Sequence, residues 1–225
     1  WNKQKENDLM EHALKFSDKT AADDYHREKT EAAWKLLTSN EKEALWKYTG
    51  SSYRSINKAL RLGNIDQQTQ RIKDYISDIT NALDKCILED NLWVRRGVTP
   101  EGLAGLFDVD IAELKDSLLQ KKLINTKCVE KGFLSAGASA EAGFHGINLD
   151  ICLTKGSKAM YAEPFSQYGG TNDKGTWDGI QKASYIGGEA EVIVQRNSAF
   201  KIKEIKTDES GNIINVVLLM IDQSR

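Results

Sequence analysis

The sequence predicts an α+β fold, on three observations. Up to about residue 88, apolar side chains recur at three- and four-residue steps, the period of a helix face. From Lys131 onward, short apolar runs alternate with Gly, Ser and Asn clusters, the pattern of strands and turns. The two periodicities follow one another instead of interleaving, which separates α+β from α/β.

The elements follow in chain order. Residues 2–35 are rich in Lys, Glu, Ala and Leu and read as helical, with Leu9, Ala13 and Phe16 on one face. Thr38-Ser-Asn-Glu41 fits a capping box, in which Thr38 accepts from the backbone near Glu41 and Glu41 reaches back. The helix it opens carries Ala44, Leu45 and Tyr48, and Gly50 and Ser51 are expected to break it. Residues 52–62 form a second short helix, with Tyr53, Ile56 and Leu60 inward. Residues 66–88 read as a long amphipathic helix through Ile72, Ile76, Ile79, Leu83 and Ile87. A further helix is expected from Asp110, with Ile111, Leu114 and Leu118 on one face. Leu92-Trp-Val-Arg95 is a short strand, and residues 146–153, 159–162, 189–195, 200–207 and 213–221 read as strands.

Composition narrows the function classes. With 40% hydrophobic and 28% charged residues, the 225-residue chain has the make-up of a globular domain able to bury a core without disulfides or metals. Pro100 and Pro164 are the only prolines, so no Pro-rich linker divides it. A net charge of −2 argues against a general nucleic-acid or membrane-surface binder. Cys86, Cys128 and Cys152, with His12, His26 and His145, are too scattered for a disulfide framework or a zinc motif, so no metal is expected. No run approaches the ~20 apolar residues of a membrane span. No signal peptide opens the chain, and the missing initiator Met marks it as an expected piece of a longer protein.

Four features carry chemistry. Glu189-Ala-Glu191 precedes an apolar run, and strand alternation would put both carboxylates on one face; an exposed acidic pair on a solvated edge has the same pattern. Arg95-Arg96-Gly97 ends a short apolar strand, and guanidinium forks of this kind clamp pyrophosphate, though a solvent-facing basic pair looks alike. In Gly132-Phe-Leu-Ser135 a serine follows apolar residues and could orient a carboxylate, or simply sit in a turn. Tyr53 and Asn57 stack at four-residue spacing after Tyr48-Thr-Gly50, a pattern that core packing also produces.

Taken in order, Tyr48-Thr-Gly50…Asn57…Arg61, apolar-Arg95, Phe-Leu-Ser135, Glu189-x-Glu191 and the run ending Phe-Lys-Ile202 resemble the clostridial-type mono-ADP-ribosyltransferases, the group of the actin-modifying binary toxins and the Rho-modifying exoenzymes. The resemblance spans about Leu37 to Ile202. It implies a single domain over 1–225, with residues 1–36 a helical extension and 37–225 a catalytic core. N-terminal helices would pack on a two-sheet β-sandwich, with NAD+ in the cleft as substrate.

Residue by residue, the resemblance implies that Arg95 and Arg96 hold the NAD+ phosphates. Ser135 would orient the catalytic Glu191, which bonds the nicotinamide ribose. Glu189 would engage the acceptor; glutamate here goes with arginine acceptors in the family, and glutamine with asparagine. Tyr48, Tyr53 and Asn57 would line the cleft, and Phe144 would pack near nicotinamide. Ala136 and Gly137 depart from the family's Thr-Ser. The arginine many relatives place between the serine and the glutamate is missing, with Lys155 or Lys158 as stand-ins.

The implied activity is transfer of ADP-ribose from NAD+ to a target protein, most readily to arginine, by a secreted or delivered toxin or phage-borne effector acting in a target-cell cytosol. An NAD glycohydrolase and a catalytically silent interaction module are the alternatives. The loop 168–188, with Trp177 and Tyr185, would read the protein substrate or serve only as a surface loop. No Gly-x-Gly-x-x-Gly or P-loop follows a strand, which argues against a nucleotide-dependent kinase or dehydrogenase.

Overall fold

The computed structural model describes residues 3–142, 146–169 and 189–224. Phe144, Trp177 and Tyr185 lie outside the described residues.

The expected N-terminal helix is two helices, α1 (Lys3–His12) and α2 (Lys19–Trp34). Asp18 starts α2 afresh by accepting from the Ala21 N–H at 2.8 Å. Between the helices, Leu14 bridges in parallel to Leu92, with the Trp93 N–H donating to the Leu14 carbonyl at 2.8 Å. Helix α1 is fixed by Glu6, only 1% exposed, which accepts from Lys201 Nζ at 2.7 Å and Lys203 Nζ at 2.8 Å. Helix α2 sends Ala22, Ala33 and Trp34 into the core. The Trp34 indole donates to the Tyr161 carbonyl at 2.8 Å, and the Tyr161 hydroxyl to Asp23 at 2.5 Å.

Helix α3 (Ser39–Lys47) opens on the expected capping box: the Glu41 N–H donates to Thr38 Oγ1 at 3.1 Å, and the Thr38 N–H to Glu41 Oε1 at 2.9 Å. Lys85 Nζ also donates to Glu41, at 2.6 Å, tying the cap to the end of α5 (Gln70–Asp84). Thr38→Ala is expected to cost about 1 kcal/mol. That corresponds to a melting-temperature drop of about 2–4 °C for a domain of this size, readable by circular dichroism. An unchanged melt would deny the cap any part in stability.

Gly50 and Ser51 do not break the helix. The chain runs through a π-helical turn, Tyr48–Ser52, into α4 (Tyr53–Leu62), which ends at Gly63 in the left-handed region (φ 68°). The wider turn re-aims the side chains, and Tyr48 and Asn57 both reach the Phe133 backbone. Gly50 serves close approach instead, since a Cβ there would collide with the Gln167 side chain. Thr69 caps α5 and delays its start to Gln70, past the expected position.

Strand β1 (Leu92–Val98) is followed by α6 (Pro100–Phe107), which was not expected. Thr99 caps it and Pro100 occupies its first turn. The helix expected from Asp110 is a 3₁₀ turn, Ile111–Lys115, then the short α7 (Ser117–Leu123). Of its expected inner face only Leu114 is buried.

The remaining strands are β2 (Lys127–Glu130), β3 (Leu134–Gly137), β4 (Ile147–Leu153), β5 (Ala159–Tyr161), β6 (Glu191–Val194), β7 (Ser198–Thr207) and β8 (Ile213–Gln223). Among the described residues they join in the order β2-β7-β8-β4-β1-β3-β6-β5. β4 and β8 are parallel and the other pairs antiparallel. Where two sheets were expected, the strands are continuous, but β1 and β3 share a single registered pair, Arg95↔Gly137. β1 instead pairs with β4 along its whole length, and β3 with β6. The sheet therefore divides at this seam into five-strand and three-strand halves.

Candidate active site

The seam brings the expected residues together. On the five-strand side, Arg95 Nε and Nη2 donate to Asp150 Oδ1 and Oδ2 at 2.7 and 3.2 Å, across the β1–β4 pair. Asn215 Nδ2 braces the same carboxylate at 2.9 Å. Burial alone would raise the Asp150 pKa, but the hydrogen bonds from Arg95 and Asn215 hold it below the usual carboxylate range. Arg96 reaches across the seam, its Nη1 donating to the Ser135 carbonyl at 2.8 Å.

On the three-strand side, Gly137 pairs with Glu191, and Ser135 lies two residues along β3 on the same face. The Ser135 side chain neighbours the Glu191 carboxylate and favours its charged form. Glu191 is 7% exposed, and its Oε2 has no hydrogen-bond partner among the described residues. Burial pushes its pKa up to about 7; Ser135 opposes that shift, and the nearby Glu189 and Glu163 charges add to it.

Glu189 reaches the same cleft by a different route from the one expected. Strand β6 begins only at Glu191, and Ala190 sits in the left-handed region (φ 51°), so strand alternation does not relate the two glutamates. A kink relates them, with Glu191 buried and Glu189 exposed. Partial burial raises the Glu189 pKa, and Lys19 opposes it.

Tyr48 and Asn57 are 1% and 6% exposed, so they stand behind the cleft wall instead of lining it. Asn57 Nδ2 donates to the Tyr48 hydroxyl at 3.2 Å, and that hydroxyl lies 3.1 Å from Ser135 Oγ. The Phe133 N–H donates to Asn57 Oδ1 at 2.9 Å. Gly132 permits this approach, since a Cβ there would fall 2.7 Å from Asn57 Oδ1. Burial pushes the Tyr48 phenol up to about 12, so it stays protonated and can donate. Tyr53 is more open, edge-on to Tyr48 at 6.3 Å between ring centres, and its hydroxyl accepts from Arg54 Nε.

The cleft encloses about 250 Å³ and is lined by Lys19, Arg95, Arg96, Ser135, Glu189 and Glu191, among others. A larger cleft of about 790 Å³ adjoins it, sharing Arg96 and Gly97 and running past Thr99, Glu101 and Lys131. Neither Lys155 nor Lys158 lines either cleft, and Lys158 pairs with Asp84 at 3.2 Å. The additional cation among the described residues lining the smaller cleft is Lys19, from the first turn of α2.

Sequence reasoning missed three residues. Asp150 was available as the polar partner of Asn148 at two-residue spacing in an expected strand. Glu163 carried a signal only in standing next to Pro164 after a strand. Lys19 carried none, because only the fold brings it to a site so distant in sequence.

A family model, ADP-ribosyltransferase exoenzyme, matches residues 1–222, and the chain belongs to that family. NAD is the substrate of the family. The C3 exoenzyme of Clostridium limosum superposes with a TM-score of 0.70 at 22% identity, over 93% of this chain and 98% of that one. C3stau2 from S. aureus, solved with NAD, gives a TM-score of 0.73 at 20% identity over the same shares. BECa, an ADP-ribosylating toxin of a C. perfringens binary enterotoxin solved with NADH, gives 0.70 at 21% identity, over 93% of this chain and 50% of that one. At these identities the likeness is one of fold. A search of curated protein sequences gave no match. Among the described residues, no helix is long and apolar enough to cross a membrane.

Proposed function

We propose that this chain is a mono-ADP-ribosyltransferase that splits NAD+ and transfers ADP-ribose to an arginine side chain of a target protein. The observation that carries the reading is a division of labour: one cleft holds a buried carboxylate, Glu191, and an exposed one, Glu189, beside two arginines.

A volume of about 250 Å³ suits the nicotinamide–ribose end of NAD+ but not the whole molecule. The ADP half extends past Arg96 into the adjoining cleft. Arg95 has two of its donors on Asp150. A third reaches the Ala140 carbonyl at 3.4 Å; held at a fixed angle, the guanidinium presents its other N–H groups to the pyrophosphate, and Arg96 adds a second cation. Cleavage sends the C1′–N bond pair to nicotinamide and leaves positive charge on the ribose. The unpartnered Glu191 Oε2 stabilises that charge more than the ground state, which is the condition for catalysis. Ser135, backed by Tyr48 and Asn57, fixes its orientation.

The acceptor guanidinium is cationic at ordinary pH. Glu189 binds it at the rim and takes its proton as the new C1′–N bond forms. The toxins among the solved relatives support a secreted or delivered enzyme acting in a target-cell cytosol.

The test is NAD+ with agmatine, following nicotinamide release and the ADP-ribosyl adduct by mass spectrometry. Glu189→Gln is expected to lower adduct formation by about 100-fold or more, with nicotinamide release kept within about threefold. Wild-type protein that released nicotinamide without adduct would instead be a glycohydrolase. Absence of both products and of NAD+ binding would point to a silent module.

A further inference from the structure

We propose that Glu163, a residue outside the catalytic cleft, is the positioning residue that sets Glu189 relative to Glu191 and so partitions the reaction between transfer and hydrolysis. The inference rests on the arginine-transfer reading above, because it assigns Glu189 the acceptor.

Three hydrogen bonds tie the acidic pair to one short segment, and the Ala138 N–H adds another to the Ala190 carbonyl at 2.9 Å. The Ala162 N–H donates to the Glu191 carbonyl at 2.8 Å. The Ala190 N–H donates to Glu163 Oε2 at 3.1 Å. The Glu189 N–H donates to the Tyr168 carbonyl at 3.0 Å. The segment is itself tightly wound through the 3₁₀ turn Glu163–Phe165, and a Cβ at Gly169 would collide with the Glu163 carbonyl.

The middle bond is the one a side chain controls. Glu163 is 2% exposed, a carboxylate buried against a backbone N–H. That N–H belongs to Ala190, itself buried and in the left-handed region that a residue with a Cβ rarely adopts. A charge-assisted bond to the strained residue is what makes the kink the favoured conformation. Without it, the Ala190 N–H loses its partner and the backbone at 190 relaxes toward extended geometry about the Ala190 carbonyl that Ala138 still holds, which shifts Glu189 relative to the cleft. Glu191 keeps its own anchors, the Ala162 N–H and Ser135.

Product partition reads this directly, because a merely structural role lowers both products together. Glu163→Ala is expected to lower the ratio of agmatine adduct to nicotinamide by about tenfold or more, at undiminished NAD+ binding by calorimetry. Glu163→Gln keeps an oxygen that accepts the Ala190 N–H and is expected to restore the ratio. Glu163→Asp, with the oxygen drawn back, is expected to fall between them, and it carries the test if the alanine variant does not fold. A wild-type ratio in Glu163→Ala or in Glu163→Asp overturns the inference, as does a glutamine variant no better than alanine. Wild-type protein that forms no adduct overturns the transfer reading and this inference with it; a wild-type adduct with unmoved variants overturns only the inference.

Discussion

Glu191→Gln is expected to lower nicotinamide release and adduct formation together, by about 100- to 1000-fold, the scale of removing one group aimed at transition-state charge. Glutamine keeps the shape beside Ser135, so the loss isolates the charge. The same substitution is expected to stabilise the fold at alkaline pH. The folded-state pKa of Glu191, raised mainly by burial, is about 7 against an ordinary value of 4.5. Its favourable contribution is therefore fully present below the unfolded value and is lost as pH rises through the folded one. Near pH 8 the buried charge costs about 3 kcal/mol. Thermal melts of the two proteins at about pH 8 and about pH 5 check this: the variant should melt higher at the first and converge with wild type at the second. A variant that melts lower at pH 8 would show that the carboxylate is stabilised by its surroundings and not strained by them.

The second large effect is on the pH profile. If ionised Glu191 is the working form, kcat/KM for nicotinamide release falls tenfold per unit below about 7 and is level above it. Between about pH 7 and about pH 5 that amounts to roughly 100-fold. Glu189 contributes to the upward shift by repulsion, so Glu189→Gln moves the acid limb to lower pH. Initial rates at sub-saturating NAD+ across this range decide the matter. A flat profile from about pH 5 to pH 8 would remove Glu191 as the group whose ionisation controls the reaction.

Much of this arrangement was readable from residue patterns, for local reasons. The capping box at Thr38 and Glu41 is a four-residue interaction, and it is there. The strands around Arg95 and Ser135 announce themselves by apolar runs, and their site residues meet because those strands pair across one seam. What was not readable depends on contacts distant in sequence. Leu14 splits the N-terminal helix because Leu92 lies beside it. Gly50 looked like a breaker because the side chain packed against it, Gln167, is far along the chain. The kink at Ala190 defeated strand alternation because a residue at 163 holds it, and no periodicity near Glu189 reflects that. Strand β2, four residues with charges at both ends, and the 3₁₀ turn at Ile111–Lys115 are too short for any period to emerge.

The single registered pair between β1 and β3 has a mechanical consequence. Arg95 and its Asp150 brace ride on one half-sheet, while Ser135 and Glu191 ride on the other. Each half is stiffened by full-length strand pairing, but the joint between them is one residue wide and is spanned by the Arg96–Ser135 bond. The joint is thus the softest line through the sheet and has the character of a hinge. A dinucleotide that draws Arg96 toward its phosphates would compete with one of two side-chain bonds that, among the described residues, join β1 to β3 and the turn after it, the other being Arg95 Nη1 to the Ala140 carbonyl at 3.4 Å. On the proposed binding mode, cofactor capture and the opening angle between the halves would be coupled through that bond, and the width of the cleft would depend in part on what fills it.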